Sequence, residues 1–524
     1  MDLLRDCILV KRINKKKNIW LFGFHMIFCV CILFFFAQEV LPKFHDSVRT
    51  RMVMVLIFVL MMITITIFML LCCGKIKMSY EKLFVVTVLL WGVICSMVLP
   101  MAVTADGHAH WGTCYSLSNK ILNYDLKEYV ADNDNGSVWV RSADTDTQTF
   151  SEASQELYRI FAERFGKRIY DDGKLYEKTD YAFDLGDAFY YKYVIPALGM
   201  TVGRLLRLDI VTVLYLAQLF NIMAFCIIGY ISIKIVPYGK AQMISIAMVP
   251  MVLETYSSVH YDNALLGLTV LFISLCMYYR ERRDKLRFRD VLMLLVVWAL
   301  IIPNKYVFAL LGLYIFLIPV EKWKCYLEEN RKRLFFTAIV ILLSVIYVLL
   351  KYHKHFELFF GEGNADVISL RYAVTHPAQI LSIYVRTFSP RSLCNKLFHL
   401  MGGYVGHNQF YLSKTLIYSF FIIVILGCVV QNGKRISRGA VKIIIGITFI
   451  ILFMTVLLLL GRYSTDFQDS VFLYGRYMLP TFVMLPVLFG SDECANRRQY
   501  GILYIQSLLL CGVMCNILYL SVSF

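Results

Sequence analysis

Residues 52–73 read MVMVLIFVLMMITITIFMLLCC, and no side chain in the stretch is charged. A helix crosses a bilayer with about 20 apolar residues, so Met52–Cys73 spells a transmembrane helix. Similar runs lie at Ile19–Val40, Leu83–Val103, Ile210–Val236, Ala241–Val259, Asn263–Tyr279, Leu334–Leu350, Leu412–Val430, Val441–Leu460, Tyr477–Gly490 and Tyr500–Leu520. The 524 residues are 59% hydrophobic and 17% charged, with a mean hydropathy of +0.62. That composition, with such runs, excludes a soluble enzyme, a disordered chain and a nucleic-acid-binding module. The expected fold is an all-α polytopic membrane protein.

Lysine and arginine set the expected topology. A cytoplasmic N-terminus puts the basic clusters Arg280–Arg289, Lys322–Arg333, Lys434–Lys442 and Arg497–Arg498 inside. The start, with Lys11, Arg12, Lys15, Lys16 and Lys17, resembles a signal peptide, but the apolar run is too long and lacks a small-residue cleavage site. It reads as an uncleaved first helix. Phe189–Leu208, interrupted by Pro196, would invert the later clusters if it crossed, so it reads as interfacial or re-entrant. Val291–Val320 is broken by Pro303-Asn304-Lys305 and flanked by basic clusters, which predicts two short helices out and back. The expectation is about 13 helices in the bacterial cytoplasmic membrane, N-terminus inside and C-terminus outside. Of 15 cysteines nearly all sit in apolar runs, and only Cys114 and Cys394 face outward, leaving a bridge between those two open.

The polar chemistry gathers in the expected outer loops. Thr104–Asp187 carries 16 acidic against 9 basic residues, a net of −7, while the rest of the chain carries +23. Nine of ten histidines, all but His25, fall on the outer side, which points to an outward-facing site. The first large loop opens Asp106-Gly107-His108-Ala109-His110. On a helix, Asp106 and His110 share a face at i, i+4 spacing, where the carboxylate takes a hydroxyl proton and the imidazole orients it. The competing reading makes Asp106 a helix cap and His110 merely interfacial. A divalent metal held by Asp106, His108 and His110, or with His353-x-His355, is a further reading.

Several stations of the chain, in order, resemble a bacterial family of membrane proteins, domain of unknown function 2142. They are Asp106-x-x-x-His110, Tyr190-Tyr191-Lys192-Tyr193-Val194-Ile195-Pro196-Ala197-Leu198-Gly199, Lys234-Ile235-Val236-Pro237, Met248-Val249-Pro250-Met251, His260-Tyr261-Asp262, Asn304-Lys305-Tyr306 and Tyr474-Gly475-Arg476-Tyr477-Met478-Leu479-Pro480. The resemblance runs from about Leu83 to the C-terminus and leaves the first two helices as an addition. Two departures stand out: Gly107 replaces an acid, and His260 replaces a serine. That family in turn resembles the GT-C glycosyltransferases. This implies a GT-C-like fold with a large first external loop bearing interfacial helices, and a polyprenyl-phosphate-linked sugar donor.

The resemblance divides the chain into residues 1–82 with two additional helices, a core over 83–350 with its external loop 104–208, a second external loop 351–411, and C-terminal helices 412–524. It implies Asp106 as base, His110 as its partner, and cations for the leaving phosphate among Lys305, Arg386 and Arg476. Each cation also reads as a snorkelling anchor. Asp262 and His260 are expected to bind sugar or acceptor, although Asp262 also fits an N-cap. Glu254, expensive within an apolar helix, is expected to face the same cavity. His108, Tyr190 and Tyr191 complete the expected substrate contacts, the tyrosines competing with a role as interfacial anchors. The expected partners are the bilayer, the lipid-linked sugar and a cell-wall or capsular glycan. The chain has no nucleotide-binding loop or zinc-protease motif, and a divalent metal ion is the one cofactor left open. A flippase of lipid-linked saccharides and a polysaccharide polymerase are the alternatives to a glycosyltransferase.

Overall fold

The structure, a computed structural model, describes residues 2–100, 103–104, 106–123, 137–145, 154–169, 176–183, 185, 187–323, 368–406, 409–430, 436–461, 463–482, 490 and 497–523. It is a helical membrane protein. Among the described residues seven helices are long and apolar enough to cross a bilayer. The opening stretch holds α1 (Asp2–Phe35), α2 (Val48–Cys72) and α3 (Tyr80–Val98). The Ser47 hydroxyl accepts the Thr50 N–H at the head of α2, and Gly74, at φ 68°, follows its end. Pro100 follows α3 closely.

The first large loop carries α4 (Gly107–Ile121), β1 (Ser137–Arg141), α5 (Gln155–Arg164), β2 (Tyr176–Phe183) and α6 (Val194–Leu205). The antiparallel β1–β2 pair adds to the expected interfacial helices; Val138 and Val140 alternate inward along β1. Phe189–Leu208 becomes a 3₁₀ stretch, Asp187–Tyr193, and the twelve-residue α6. At about 18 Å that helix is too short to cross.

Next come α7 (Ile210–Ile235), α8 (Lys240–Ala247), α9 (Pro250–Ser257), α10 (Asp262–Glu281) and α11 (Phe288–Ile301). The single helix expected over Ala241–Val259 is therefore corrected to two eight-residue helices, because Pro250 has no N–H to donate and opens a new first turn. The expected break within Val291–Val320 is present: α11 ends at Ile301 and a 3₁₀ helix, Tyr306–Leu317, follows Lys305. Leu334–Leu350 and His353-x-His355 lie outside the described residues. Then come α12 (Leu370–Thr375), α13 (Pro377–Thr387), α14 (Pro390–Leu400), the hairpin of β3 (Tyr404–Val405) and β4 (Phe410–Tyr411), and α15 (Lys414–Val429). The chain closes with α16 (Arg438–Leu460), α17 (Gly475–Phe482) and α18 (Arg497–Ser523). Cys114 is buried on α4 and Cys394 is exposed on α14, and the bridge left open by spacing is not formed.

The helix α7 is the central post, packed by α3, α6 and α10. Gly199 and Gly203, four residues apart on α6, let the two backbones nearly touch. A Cβ at Gly199 would lie 2.6 Å from the Leu216 carbonyl oxygen. The two added N-terminal helices are tied to the C-terminal one by His25, which is buried and bonded to Tyr504 Oη at 3.0 Å and Thr66 Oγ1 at 3.1 Å.

Gly199→Ala is expected to destabilise the protein by about 1–3 kcal/mol, because backbone rather than a flexible side chain opposes the new methyl. Gly446→Ala, where a Cβ meets nothing within 4 Å, is expected to hold or gain up to about 1 kcal/mol. Thermal unfolding in detergent checks both, and equal melting shifts would refute the close approach.

Candidate functional site

Helix ends build the site. α4 starts directly behind Asp106, α9 ends just before His260, α10 starts at Asp262, α14 leads into the β3–β4 hairpin, and α17 starts at Gly475. Between them lies a cavity of about 260 Å³ whose lining includes Asp106, Glu254, His260, His399, Tyr404, Tyr474, Arg476 and Tyr477.

Arg476 organises it. Its Nη2 donates to Asp106 Oδ2 at 2.6 Å, and its Nη1 lies 2.8 Å from His260 Nε2. Asp106 sits in the left-handed region at φ 55°, ψ 26°, heads α4, and makes no side-chain cap bond. The capping alternative therefore fails for this carboxylate, which turns to Arg476 instead. Arg476 reaches this place because Gly475 lets α17 lie against the end of α14; a Cβ there would be 2.5 Å from the His399 carbonyl. Behind His260, the Asp262 backbone N–H donates to its Nδ1 at 2.9 Å. Lys305 Nζ lies 2.7 and 2.8 Å from the two carboxylate oxygens of Asp262 and 4.5 Å from the centre of the Tyr477 ring.

The histidines are held neutral. His110 donates to or accepts from Tyr193 Oη through Nδ1 at 2.6 Å, and its ring centre is 3.9 Å from that of His260. Burial, reinforced by the Arg476 charge, pushes the His110 pKa down, with Asp106 opposing. Burial does the same to His260, helped by His110 and Arg476. Donors face both ring nitrogens of His260, an environment that opposes a charged ring. Burial also lowers the Lys192 ammonium to about 8, with Asp262 opposing and Lys305 adding to the fall.

The structure brings Asp106, Glu254, His260 and Arg476 together on the cavity wall, with Asp262 and His110 directly behind. Glu254 Oε1 accepts the Gly406 N–H at 3.2 Å, tying α9 to the hairpin. Other expectations need correction. The Asp106–His110 side-chain pair is replaced by Asp106–Arg476 and His110–Tyr193, because burial beside His260 turns the imidazole away from the cavity wall. Lys305 does not line the cavity; it neutralises buried Asp262. Arg386 is exposed on α13, whose Ile380, Ile383 and Tyr384 belong to a separate apolar cluster, and it donates to the Gln468 carbonyl. Tyr191 donates to the Pro303 carbonyl and Lys192 to the Asn304 carbonyl at 2.9 Å, so the 187–193 stretch staples the α11 break. Tyr190 lies beneath Lys120, at 4.4 Å from ring centre to Nζ. His108 is half-buried and off the cavity wall. Among the described residues no group of three His, Cys, Asp or Glu side chains converges as a metal site, so Asp106, His108 and His110 do not form one.

Sequence reasoning missed His399 and Tyr404, stacked at 4.2 Å between ring centres, and the cavity tyrosines Tyr474 and Tyr477. Tyr474 and Tyr477 flank the quoted Gly-Arg pair, a signal that was legible. His399 ends an amphipathic helix with no chemical motif around it, and only tertiary packing brings it here.

A histidine whose proton affinity falls on folding binds fewer protons folded than unfolded, so its stabilisation is complete above the ordinary value of 6.5 and is lost as pH drops below it. The slope approaches about 1.4 kcal/mol per pH unit for each histidine. Melting in detergent is expected at lower temperature at pH 5 than at pH 7.5, with the difference reduced in His110→Gln/His260→Gln. A pH-independent melting point would contradict the neutral pair. Lys305→Met leaves Asp262 buried without its cation and is expected to destabilise by about 3–5 kcal/mol. Adding Asp262→Asn should recover most of that; no recovery would assign Lys305 another role.

The model of a family described as predicted membrane protein, DUF2142, matches residues 89–485. The match begins within α3 and stops short of α18, so the C-terminal helix joins the two N-terminal ones outside it. No curated protein and no solved structure matches the chain. The ordered stations that carry the resemblance, from Asp106 to Pro480, all fall within the matched span, and the chain belongs to the DUF2142 family of membrane proteins.

Proposed function

We propose that this protein is a membrane glycosyltransferase of the bacterial cytoplasmic membrane. It takes a sugar from a polyprenyl-phosphate donor at the outer face and passes it to a cell-wall or capsular glycan. In this reading the N-terminus is cytoplasmic and the C-terminus external, as the lysine and arginine distribution implies. One observation carries the reading: the Asp106 carboxylate, 48% exposed, stands at a polar cavity beside an arginine 2.6 Å away.

The chemistry follows from those two groups. Asp106 accepts the proton of the acceptor hydroxyl, whose oxygen attacks C1 of the sugar. The bond from C1 to the phosphate oxygen breaks, the phosphate leaves with the electron pair, and the anomeric centre inverts. Arg476 meets the negative charge that develops on the phosphate. The N-termini of α4, α10 and α17 add partial positive charge near the same place. Tyr404, Tyr474 and Tyr477 supply aromatic walls suited to a sugar ring. His260 and Asp262, held by Lys305, fix the guanidinium from behind.

Transfer from polyprenyl-phosphate sugar to an envelope glycan is expected to fall about 10²–10⁴-fold in Asp106→Asn. Asparagine tolerates the left-handed backbone and keeps an oxygen able to accept from Arg476, so the melting temperature should hold. Equal transfer by both proteins would reject Asp106 as base. Scrambling of labelled lipid across liposomes without transfer would make the protein a flippase, and joining of whole lipid-linked repeat units would make it a polymerase.

A further inference from the structure

We propose that the Asp106–Arg476 pair is exchangeable: a phosphate-bearing anion takes the place of Asp106 on the guanidinium and frees the carboxylate. The released carboxylate then acts on the acceptor hydroxyl, a step that rests on the glycosyl-transfer reading. The exchange itself is a binding event, and no proton or covalent bond moves in it.

The two partners differ in exposure. Arg476 is 12% exposed at its side chain, its Nη1 is engaged by His260, and its backbone is pinned where Gly475 packs on His399. Its Nε–H is buried without a hydrogen-bond partner among the described residues, an unmet donor on the same guanidinium. Asp106 is 48% exposed and makes no cap bond to the helix it heads. Of the pair, the carboxylate is the side chain with room to swing.

Charge makes the swing necessary. Among the described residues the cavity wall presents two carboxyl groups, Asp106 and Glu254, and one guanidinium. Glu254 is buried and bonded to the Gly406 N–H, so it stays in place. Lys305 is committed to Asp262 and does not line the cavity. Among the described residues an arriving phosphate therefore finds its cation only at Arg476, already occupied by Asp106. Phosphate oxygens match the guanidinium fork as well as a carboxylate does and carry at least equal charge. The consequence is an order of events: the base becomes available once the anion is seated.

Purified protein in detergent would be titrated calorimetrically with farnesyl phosphate, inorganic phosphate and farnesol. Asp106→Asn removes the competing carboxylate and is expected to bind farnesyl phosphate about tenfold more tightly than wild type, with farnesol unchanged. Asp106→Gly, which also suits a φ of 55°, should show the same gain if asparagine disturbs folding. Arg476→Gln should abolish it. A gain for farnesyl phosphate alone identifies a lipid headgroup as the anion, whereas an equal gain for inorganic phosphate identifies free phosphate. Unchanged or weaker farnesyl phosphate binding by both Asp106 variants overturns the exchange. Loss of transfer in Asp106→Asn with unchanged affinity would keep the base and reject the exchange. Tighter binding by a protein whose wild type transfers nothing would do the reverse.

Discussion

A single guanidinium holds the site together. Arg476 bonds a carboxylate from the loop after the third helix and an imidazole from the α9–α10 junction, joining positions 106, 260 and 476 in one contact set. In an apolar bundle such a group is expensive unless each charge finds a partner. The partners are layered: Asp106 and His260 meet Arg476, the Asp262 backbone meets His260, and Lys305 meets the Asp262 carboxylate. Removing one layer exposes the next, which couples the integrity of the site to that of the fold.

Interrupted helices make the layering possible. Pro250 splits one span, and the Pro303-Asn304-Lys305 break splits another. Backbone freed from intrahelical bonding at membrane depth persists only where protein or a polar cavity satisfies it. Here Lys192 and Tyr191 supply donors to the carbonyls of Asn304 and Pro303, and Glu254 accepts the Gly406 N–H. The aromatic run before α6 thus acts as a staple for the broken helix, which explains its position without a sugar to stack. The neutral pair His110 and His260, with ring planes tilted 58° to each other, fills the space behind Arg476 without adding like charge.

The family match over 89–485 leaves α1, α2 and α18 outside, and these three pack together around buried His25. The additional helices therefore form a flank to the core rather than part of the cavity. Their polar centre, His25 with Tyr504 and Thr66, is internally satisfied and reads as a specific fastening between helices.

The amino-acid sequence by itself determined that this is a helical membrane protein, because twenty uncharged residues in a row leave a chain no other place to be. It also disclosed Asp106, Glu254, His260 and Arg476 as residues of interest, since charged and titratable groups beside apolar runs are costly enough to need a reason. Pairing was another matter. The spacing of Asp106 and His110 suggested a local partnership, whereas the structure gives each a partner from a distant segment. Lys305 and Arg386 looked alike as cations near membrane ends, yet one is committed to Asp262 and the other is exposed on α13 and meets the Gln468 carbonyl. Hydropathy is a sum over neighbours along the chain and so is legible there. Which cation meets which acid depends on how helix ends converge in space, and only the tertiary packing decided it.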